Sequence, residues 1–451
     1  MLDKLLSVGL DVGTTTTQLI VSTLTVENKG NAFSVPEMVI EERTLLYQSP
    51  VRFTPLLSGE LVDGEAIARW VESQYAAAGI LKTQVDTGAV IITGETSRKE
   101  NAKEVLTALA GFAGDFVVAT AGPDLESVLS AKGAGALEYS AKTGKTVLHM
   151  DIGGGTSNLS YIENGKIIAT GCLNVGGRLI KFNETGEICY LSPVLMGLCD
   201  LSLGQIPTQN QLEQVTDILV QALQMAAGLI PATPLLDKLT TKENTGTWVC
   251  RQAEVISFSG GVADCIETDA APFAYGDLGV LLGKAIRESA LCRGPYRLGE
   301  QTIRATVIGA GCHSTQLSGS TIFHNGVQLP KKNLPVAELS MPVTADAVAD
   351  AYRRRDTDNV VLALPGYPSP SYQQVKNLAE HLVTGSGDRE LLVCTQTDMA
   401  KALGHAIFLL QPERPCLCID RIHMGTESFL DIGTPVGPAL PVVIKTLIFS
   451  Q

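Results

Sequence analysis

The chain has 451 residues, 45% of them apolar and 18% charged, a composition that folds and that excludes a disordered or collagen-like chain. At this length more than one hydrophobic core is expected. Lys and Arg number 34 against 47 Asp and Glu, a net charge of −13, which argues against a sequence-independent grip on nucleic acid or an anionic membrane.

The amino terminus, MLDKLLSVGLDVG, carries Asp3 and reaches a glycine turn too early for a secretory apolar region. The apolar stretches Ala406 to Leu410 and Pro441 to Phe449 are short or broken by Pro and by Lys445, and a membrane span needs about 20 apolar residues. The expectation is a soluble, cytoplasmic chain. Ten cysteines, scattered from Cys172 to Cys418, suit buried thiols in a reducing compartment better than a disulfide frame. Cys416 and Cys418 alternate in a strand-like run and read as packing.

In chain order, residues 5–24 (LLSVGLDVGTTTTQLIVSTL) read as an apolar strand ending at Asp11, a Gly/Thr turn and a returning β-branched strand. Ala89 to Thr93 reads as a strand, Ser97 to Leu109 as a helix and Phe116 to Ala119 as a strand, which is α/β patterning. Residues 146–170 (TVLHMDIGGGTSNLSYIENGKIIAT) repeat the opening plan around Asp151, 140 residues after Asp11. That spacing is about one domain, so the chain reads as two halves built alike. Asn164-Gly165 predicts a two-residue hairpin turn. Leu212, Val215, Leu219, Ala222, Leu223 and Ala226 recur at helical spacing up to Gly228 and Pro231. VISF (residues 255–258) predicts a short strand entering Ser259-Gly260-Gly261 and then a helix. A turn-rich junction at Pro330, Lys331, Lys332 and Pro335 opens a third block. The division is 1–145, 146–330 and 331–451, the last of unassigned role. Within it, the Arg353-Arg354-Arg355 triplet is diluted by Asp356 and Asp358 and reads as a solvated helix face.

Three segments carry candidate chemistry. The turn after Asp11, with Gly13, Thr14 and Thr15, points backbone N–H groups and hydroxyls into one concavity where phosphate oxygens can sit. Asp11 at the strand end would hold Mg²⁺ through water, because that ion keeps much of its hydration. An ordinary Gly-Thr hairpin is the plainer alternative. Asp151 with Gly153, Gly154, Gly155 and Thr156 repeats the device, and three successive glycines are compensated by close approach of backbone to a ligand. Two such loops facing across a cleft would clamp phosphates from both sides. Ser259, Gly260 and Gly261 lie where a nucleoside can rest on the main chain and a helix N-terminus can favour a phosphate; a structural turn is the alternative.

These three segments, in this order, resemble the phosphate-1, phosphate-2 and adenosine motifs of the superfamily of actin, sugar kinases and seventy-kilodalton heat-shock chaperones. The resemblance implies an α/β, actin-like ATPase fold: two ribonuclease H-like lobes around a nucleotide cleft holding ATP and Mg²⁺, over roughly residues 1–330, plus the additional C-terminal α/β region. Within that superfamily LDVGTTTTQLIVS, ITGETSRKEN and HMDIGGGTSNLSYIENGK resemble the ethanolamine ammonia-lyase reactivating factors, relatives of the large subunit of diol dehydratase reactivase. By that resemblance Asp11 and Asp151 are the metal-organising carboxylates and Thr14 and Thr15 contact the first phosphate site. Gly153 to Thr156 form the second, and Gly260 with Gly261 form the adenosine turn. Glu95 is assigned to the water that attacks the terminal phosphate, with Glu100 and Lys99 as rivals.

The implied function is a chaperone that uses ATP, with hydrolysis expected, to release damaged cobalamin from ethanolamine ammonia-lyase so that intact adenosylcobalamin enters. A homo-oligomer and association with a bacterial microcompartment are left open. The rivals are a metabolite kinase of the same fold and a filament-forming relative. Three look-alikes are set aside. Gly144-Lys145-Thr146 ends like a P-loop, but Tyr139 stands where its first glycine belongs. Asp431-Ile432-Gly433-Thr434 is followed by Pro435, which removes an N–H donor. His149, with no ligand cluster in sequence, reads as a satisfied core histidine.

Overall fold

A computed structural model describes residues 3–446 except 14–15, 29–37, 59–60, 94–100, 102–104, 106–108, 110–122, 242–247, 314, 318–321, 356, 358, 423–427 and 436–439. The first sheet contains β1 (Asp3–Val12), β2 (Thr16–Asn28), β3 (Met38–Gln48) and β4 (Thr87–Ile92) in the order β3-β2-β1-β4, and the short strand Arg52–Phe53 pairs with β2. β1 is antiparallel to β2 and parallel to β4. The second contains β5 (Val147–Ile152), β6 (Ser157–Glu163), β7 (Lys166–Leu173), β8 (Val255–Ser259) and β9 (Tyr296–Leu298) in the order β7-β6-β5-β8-β9. Again the first strand, β5, is antiparallel to its hairpin partner β6 and parallel to β8. The predicted echo is therefore a repeated sheet, and the two together have the doubled α/β arrangement expected of an actin-like fold. Asn164 and Gly165 adopt φ 49° and 74° at the β6–β7 hairpin, as predicted for that dipeptide.

Helices cover both faces of each sheet, which is why the central strands read as nearly unbroken apolar runs. On the outer faces, Val8, Leu10 and Val12 pack against α1 (Gly64–Ala78), while Leu148, Met150 and Ile152 share a core with residues of α4 (Gln209–Ala226) and α5 (Gly279–Glu288). The six positions read as a helical stripe from Leu212 to Ala226 are all buried there. On the inner faces lie α2 (Pro123–Gly133), α3 (Ala136–Thr143) and α6 (Ala305–His313).

These inner helices cross over. α2, which precedes residue 145, is tied to the second sheet, with Ser160 Oγ donating to the Ser127 carbonyl at 2.9 Å. α6, from the second half, is tied to the first, with Ser7 Oγ donating to the Gly311 carbonyl at 2.6 Å. The two pack on each other without intervening side chains: a Cβ on Gly133 would lie 1.8 Å from the Ala305 carbonyl oxygen, and one on Gly309 2.0 Å from that of Leu129. Glycine is required for this close approach.

The third sheet has eight strands: β10 (Thr315–Leu317), β11 (Phe323–Asn325), β12 (Lys331–Glu338), β13 (Val361–Leu364), β14 (Leu391–Thr395), β15 (Cys416–Ile419), β16 (Ser428–Ile432) and β17 (Pro441–Thr446). Their order is β10-β17-β16-β12-β13-β14-β15-β11, with β12 to β15 parallel. α7 (Ala345–Arg355), α8 (Tyr372–Ser386) and α9 (Ala400–Leu410) supply the crossovers. This sheet takes two strands from before the junction at residue 330. Arg353 and Arg354 are exposed on α7. Among the described residues no helix is long and apolar enough to cross a membrane, and all ten cysteines are free.

Candidate functional site

The alternation of a strand puts Asp11, Gly9 and Ser7 on one face and Val8, Leu10 and Val12 on the other. The second face is committed to the α1 core, so Asp11 emerges on the inner face at the carboxyl end of β1. The same parity places His149 and Asp151 on the inner face at the end of β5. Both carboxylates are nearly covered, at 9% and 6% exposure. Asp11 Oδ1 accepts from Thr93 Oγ1, just beyond β4, at 3.0 Å. Asp151 accepts from Ser259 Oγ and, at 3.4 Å, from Thr306 Oγ1 of α6.

Burial pushes the Asp11 carboxyl up to about 7; the Thr93 hydroxyl opposes the shift and the Asp151 charge adds to it. Burial likewise pushes Asp151 up to about 6, against the hydrogen bonds from Ser259 and Thr306. The Asp11 carboxyl of one sheet thus feels the Asp151 charge of the other in a poorly hydrated space, and a cation between them would offset both the burial and the repulsion.

Two buried amide oxygens add to this. Gln18 is the cross-strand partner of Asp11 and Asn158 that of Asp151, so each amide shares a face with its aspartate. Gln18 Nε2 donates to the Ile303 carbonyl at 3.0 Å, but Gln18 Oε1 and Asn158 Oδ1 are buried with no partner among the described residues. An orphaned acceptor beside each carboxylate suits a hydrated cation, whose waters donate outward.

The second glycine turn is anchored from behind. Gly153 N–H donates to the Thr156 carbonyl at 2.9 Å, and the Gly153 and Gly154 carbonyls accept from Gly177 and Arg178 N–H at 3.0 and 2.6 Å. A Cβ on Gly155 would meet nothing within 4 Å. The turn therefore spends its carbonyls inward and leaves open space at its tip, the form of an anion cradle. In the first turn Gly13 N–H donates to the Thr16 carbonyl at 2.9 Å. Thr14, Thr15 and Glu95 lie outside the described residues, as do Lys99 and Glu100, most of the segment read as a helix from Ser97, and the strand at Phe116 to Ala119.

The third segment differs from expectation. After Gly261 the chain makes only a 3₁₀ turn at Ala263–Cys265, and the next α-helix begins at Gly279, so no helix N-terminus faces a phosphate there. Gly260 has φ 87°, and a Cβ on it would lie 2.3 Å from the Ile152 carbonyl oxygen; the backbone by itself already demands glycine here. Gly261 is the open position, with Ile303 its first neighbour at 3.7 Å. Ser259 is fully buried, and its hydroxyl is spent on Asp151.

His149 completes a buried polar chain. Its Nδ1 lies 3.2 Å from Ser257 Oγ and its Nε2 3.0 Å from Ser259 Oγ. Because Ser259 donates to Asp151, its oxygen accepts from Nε2–H, which leaves Nδ1 to accept from Ser257. Burial, with the nearby Arg297 charge, pushes the imidazole down to about 3, so it is the satisfied neutral histidine expected, and it also orients the Ser259 hydroxyl that donates to Asp151. The other look-alikes are structural: Gly144 caps α3 and Thr146 leads into β5, and Asp431 is buried in β16. Cys416 and Cys418 are buried with sulfurs 3.8 Å apart, and no group of three metal-ligating side chains occurs among the described residues.

Thr93, Thr306, Gln18 and Asn158 were not singled out in sequence. The amides had a signal: each stands seven residues after its aspartate in DVGTTTTQ and DIGGGTSN. The threonines had none, since their partners lie 82 and 155 residues away.

The family model described as ethanolamine utilisation protein EutA matches residues 3–450. A Salmonella typhimurium protein named ethanolamine ammonia-lyase reactivase EutA is 38% identical over 479 residues, covering 99% of each chain. One of the same name from Escherichia coli K12 is 38% identical over 489 residues, again covering 99% of each. Among solved structures, an Aquifex aeolicus member of the Ppx/GppA family has TM-score 0.41 and 13% identity over 68% of this chain and 97% of that one. The chain belongs to the EutA family of ethanolamine utilisation proteins.

Proposed function

We propose that this protein is an ATP-dependent reactivating factor for adenosylcobalamin-dependent ethanolamine ammonia-lyase, promoting exchange of damaged for intact cobalamin in the cytoplasm. The name of its 38%-identical relatives supports the partner. The observation that carries the nucleotide is the duplicated turn, each with a buried carboxylate and an orphaned amide oxygen, one from each sheet.

Asp11 and Asp151, flanked by Gln18 and Asn158, would hold hydrated Mg²⁺. Gly13 with Thr14 and Thr15, and Gly153 to Thr156, would hold the phosphates, and Gly261 would border the nucleoside. Bound Mg²⁺ and ATP supply a hydrolysable phosphoanhydride. Thr93, Ser259 and Thr306 keep the carboxylates aimed and His149 keeps Ser259 in the donor role. Glu95 is kept as the residue that orders water. Nucleotide shifts the lobes only by binding closed and open forms with different affinity, and a lyase gripped by both lobes would feel that difference.

The test uses lyase loaded with inactive cyanocobalamin. Activity should return when this protein, Mg-ATP and free adenosylcobalamin are all present, and not when protein or ATP is omitted. Asp11→Asn should fail to sustain recovery. Equal recovery without the protein sinks the reading, and phosphate transfer to a small hydroxyl acceptor with no effect on the lyase would favour a kinase.

A further inference from the structure

The loop after β7 runs beneath the second glycine turn, and the Arg178 N–H donates to the Gly154 carbonyl. The approach is close enough that a Cβ on Gly176 would lie 2.3 Å from that carbonyl oxygen. From this fixed point Arg178 Nε donates to Asp277 Oδ2 at 3.1 Å, while Asp277 Oδ1 accepts the Gly279 N–H at 2.8 Å as α5 begins. The guanidinium is thus held at its edge by Asp277, and it lies over the ring of Phe53, 4.7 Å from the centroid.

Phe53 belongs to the other lobe and supports the other turn. Its short strand pairs Phe53 with Thr16 and Arg52 with Thr17, and the next residue, Thr54, donates from Oγ1 to the Gly13 carbonyl at 2.7 Å. Burial does not explain the ring's position, since Phe53 is 66% exposed. The Arg178 side chain is 17% exposed. One cation–π contact therefore joins the backbone support of the first turn to that of the second. A planar guanidinium anchored by a carboxylate is suited to this, because little rotamer freedom remains to be lost when it stacks.

We propose that Arg178 and Phe53 form a latch across the cleft that holds the two turns in register, with Arg178 as the positioning residue of the second turn. The contact is read from the protein's own side chains; its effect on nucleotide rests on the nucleotide reading above. Closing the latch pre-pays part of the ordering that a polyphosphate bridging both turns requires, so its loss lowers affinity for the triphosphate.

The experiment compares the parent, Phe53→Leu and Phe53→Tyr in two measurements. Amide hydrogen exchange of ligand-free protein is followed on peptides spanning the 52–54 strand and the 153–156 turn, and Mg-ATP binding is followed by calorimetry. Phe53→Leu should exchange faster in both peptides and bind Mg-ATP about three- to tenfold more weakly, the range of one partly exposed cation–π contact, and Phe53→Tyr should match the parent in both. Unchanged exchange in Phe53→Leu overturns the latch, and faster exchange with parental affinity overturns its coupling to ligand. If the parent itself binds no Mg-ATP, the nucleotide reading falls while the exchange comparison still decides the latch.

Discussion

Asp11 is buried, paired with one hydroxyl and repelled by Asp151, so its charged form is disfavoured in the folded chain. Its folded value near 7 lies above the unfolded value near 4, so folding favours the protonated form. The resulting stability is complete below about pH 4 and is lost as pH rises through about 7, amounting to about 4 kcal/mol at most. Asp11→Asn lacks this dependence and retains an oxygen for Thr93. In thermal melts without nucleotide, its midpoint relative to the parent should rise between pH 4.5 and pH 8, while Mg-dependent ATP turnover falls by at least a hundredfold. A pH-independent difference in midpoint would show that Asp11 is not held in a charge-averse site.

At the scale of elements, the glycine turns separate by what their glycines face. Gly260 combines a left-handed backbone with contact against Ile152, so Gly260→Val should destabilise by about 2–4 kcal/mol through strain and overlap. Gly261→Val brings its Cβ only into ordinary contact with Ile303 at 3.7 Å, so it should destabilise far less than Gly260→Val but bind Mg-ATP more weakly, because its branch stands beside the proposed nucleoside position. Calorimetry paired with denaturant unfolding separates the two effects; equal melting of both variants would contradict the backbone role of Gly260. The same reasoning applies to α2 and α6, where Gly133 and Gly309 exist so that two helices can lie between two sheets. Their composition gave no hint of this in sequence, since small residues in a helix have many causes.

For the whole molecule, the third sheet draws β10 and β11 from before residue 330 and pairs them with β17 and β15. A chain ending at residue 330 therefore keeps two strands whose partners are gone, and the Phe323 ring, which packs against His405 and Phe408, becomes exposed. A chain ending at 313 removes those strands as well. Size-exclusion chromatography should show aggregation for the first and a greater monomer fraction for the second. If both behave alike, the unpaired strands do not govern association.

What the sequence determined by itself was local in origin: two strand–turn–strand units, the Asn164-Gly165 hairpin and the amphipathic helix ending near Gly228, each written within a few residues as period-two or period-3.6 patterning or as turn chemistry. The repetition of one unit 140 residues later carried the two-sheet architecture with it. Only the tertiary structure decided that the Ser259 hydroxyl donates to Asp151, that a 3₁₀ turn follows Gly261, that α2 and α6 exchange sheets, and that Arg178 meets Phe53. Each of these depends on a partner tens to hundreds of residues away, and the inner face that brings the partners together exists only after both sheets have committed their opposite faces to hydrophobic cores.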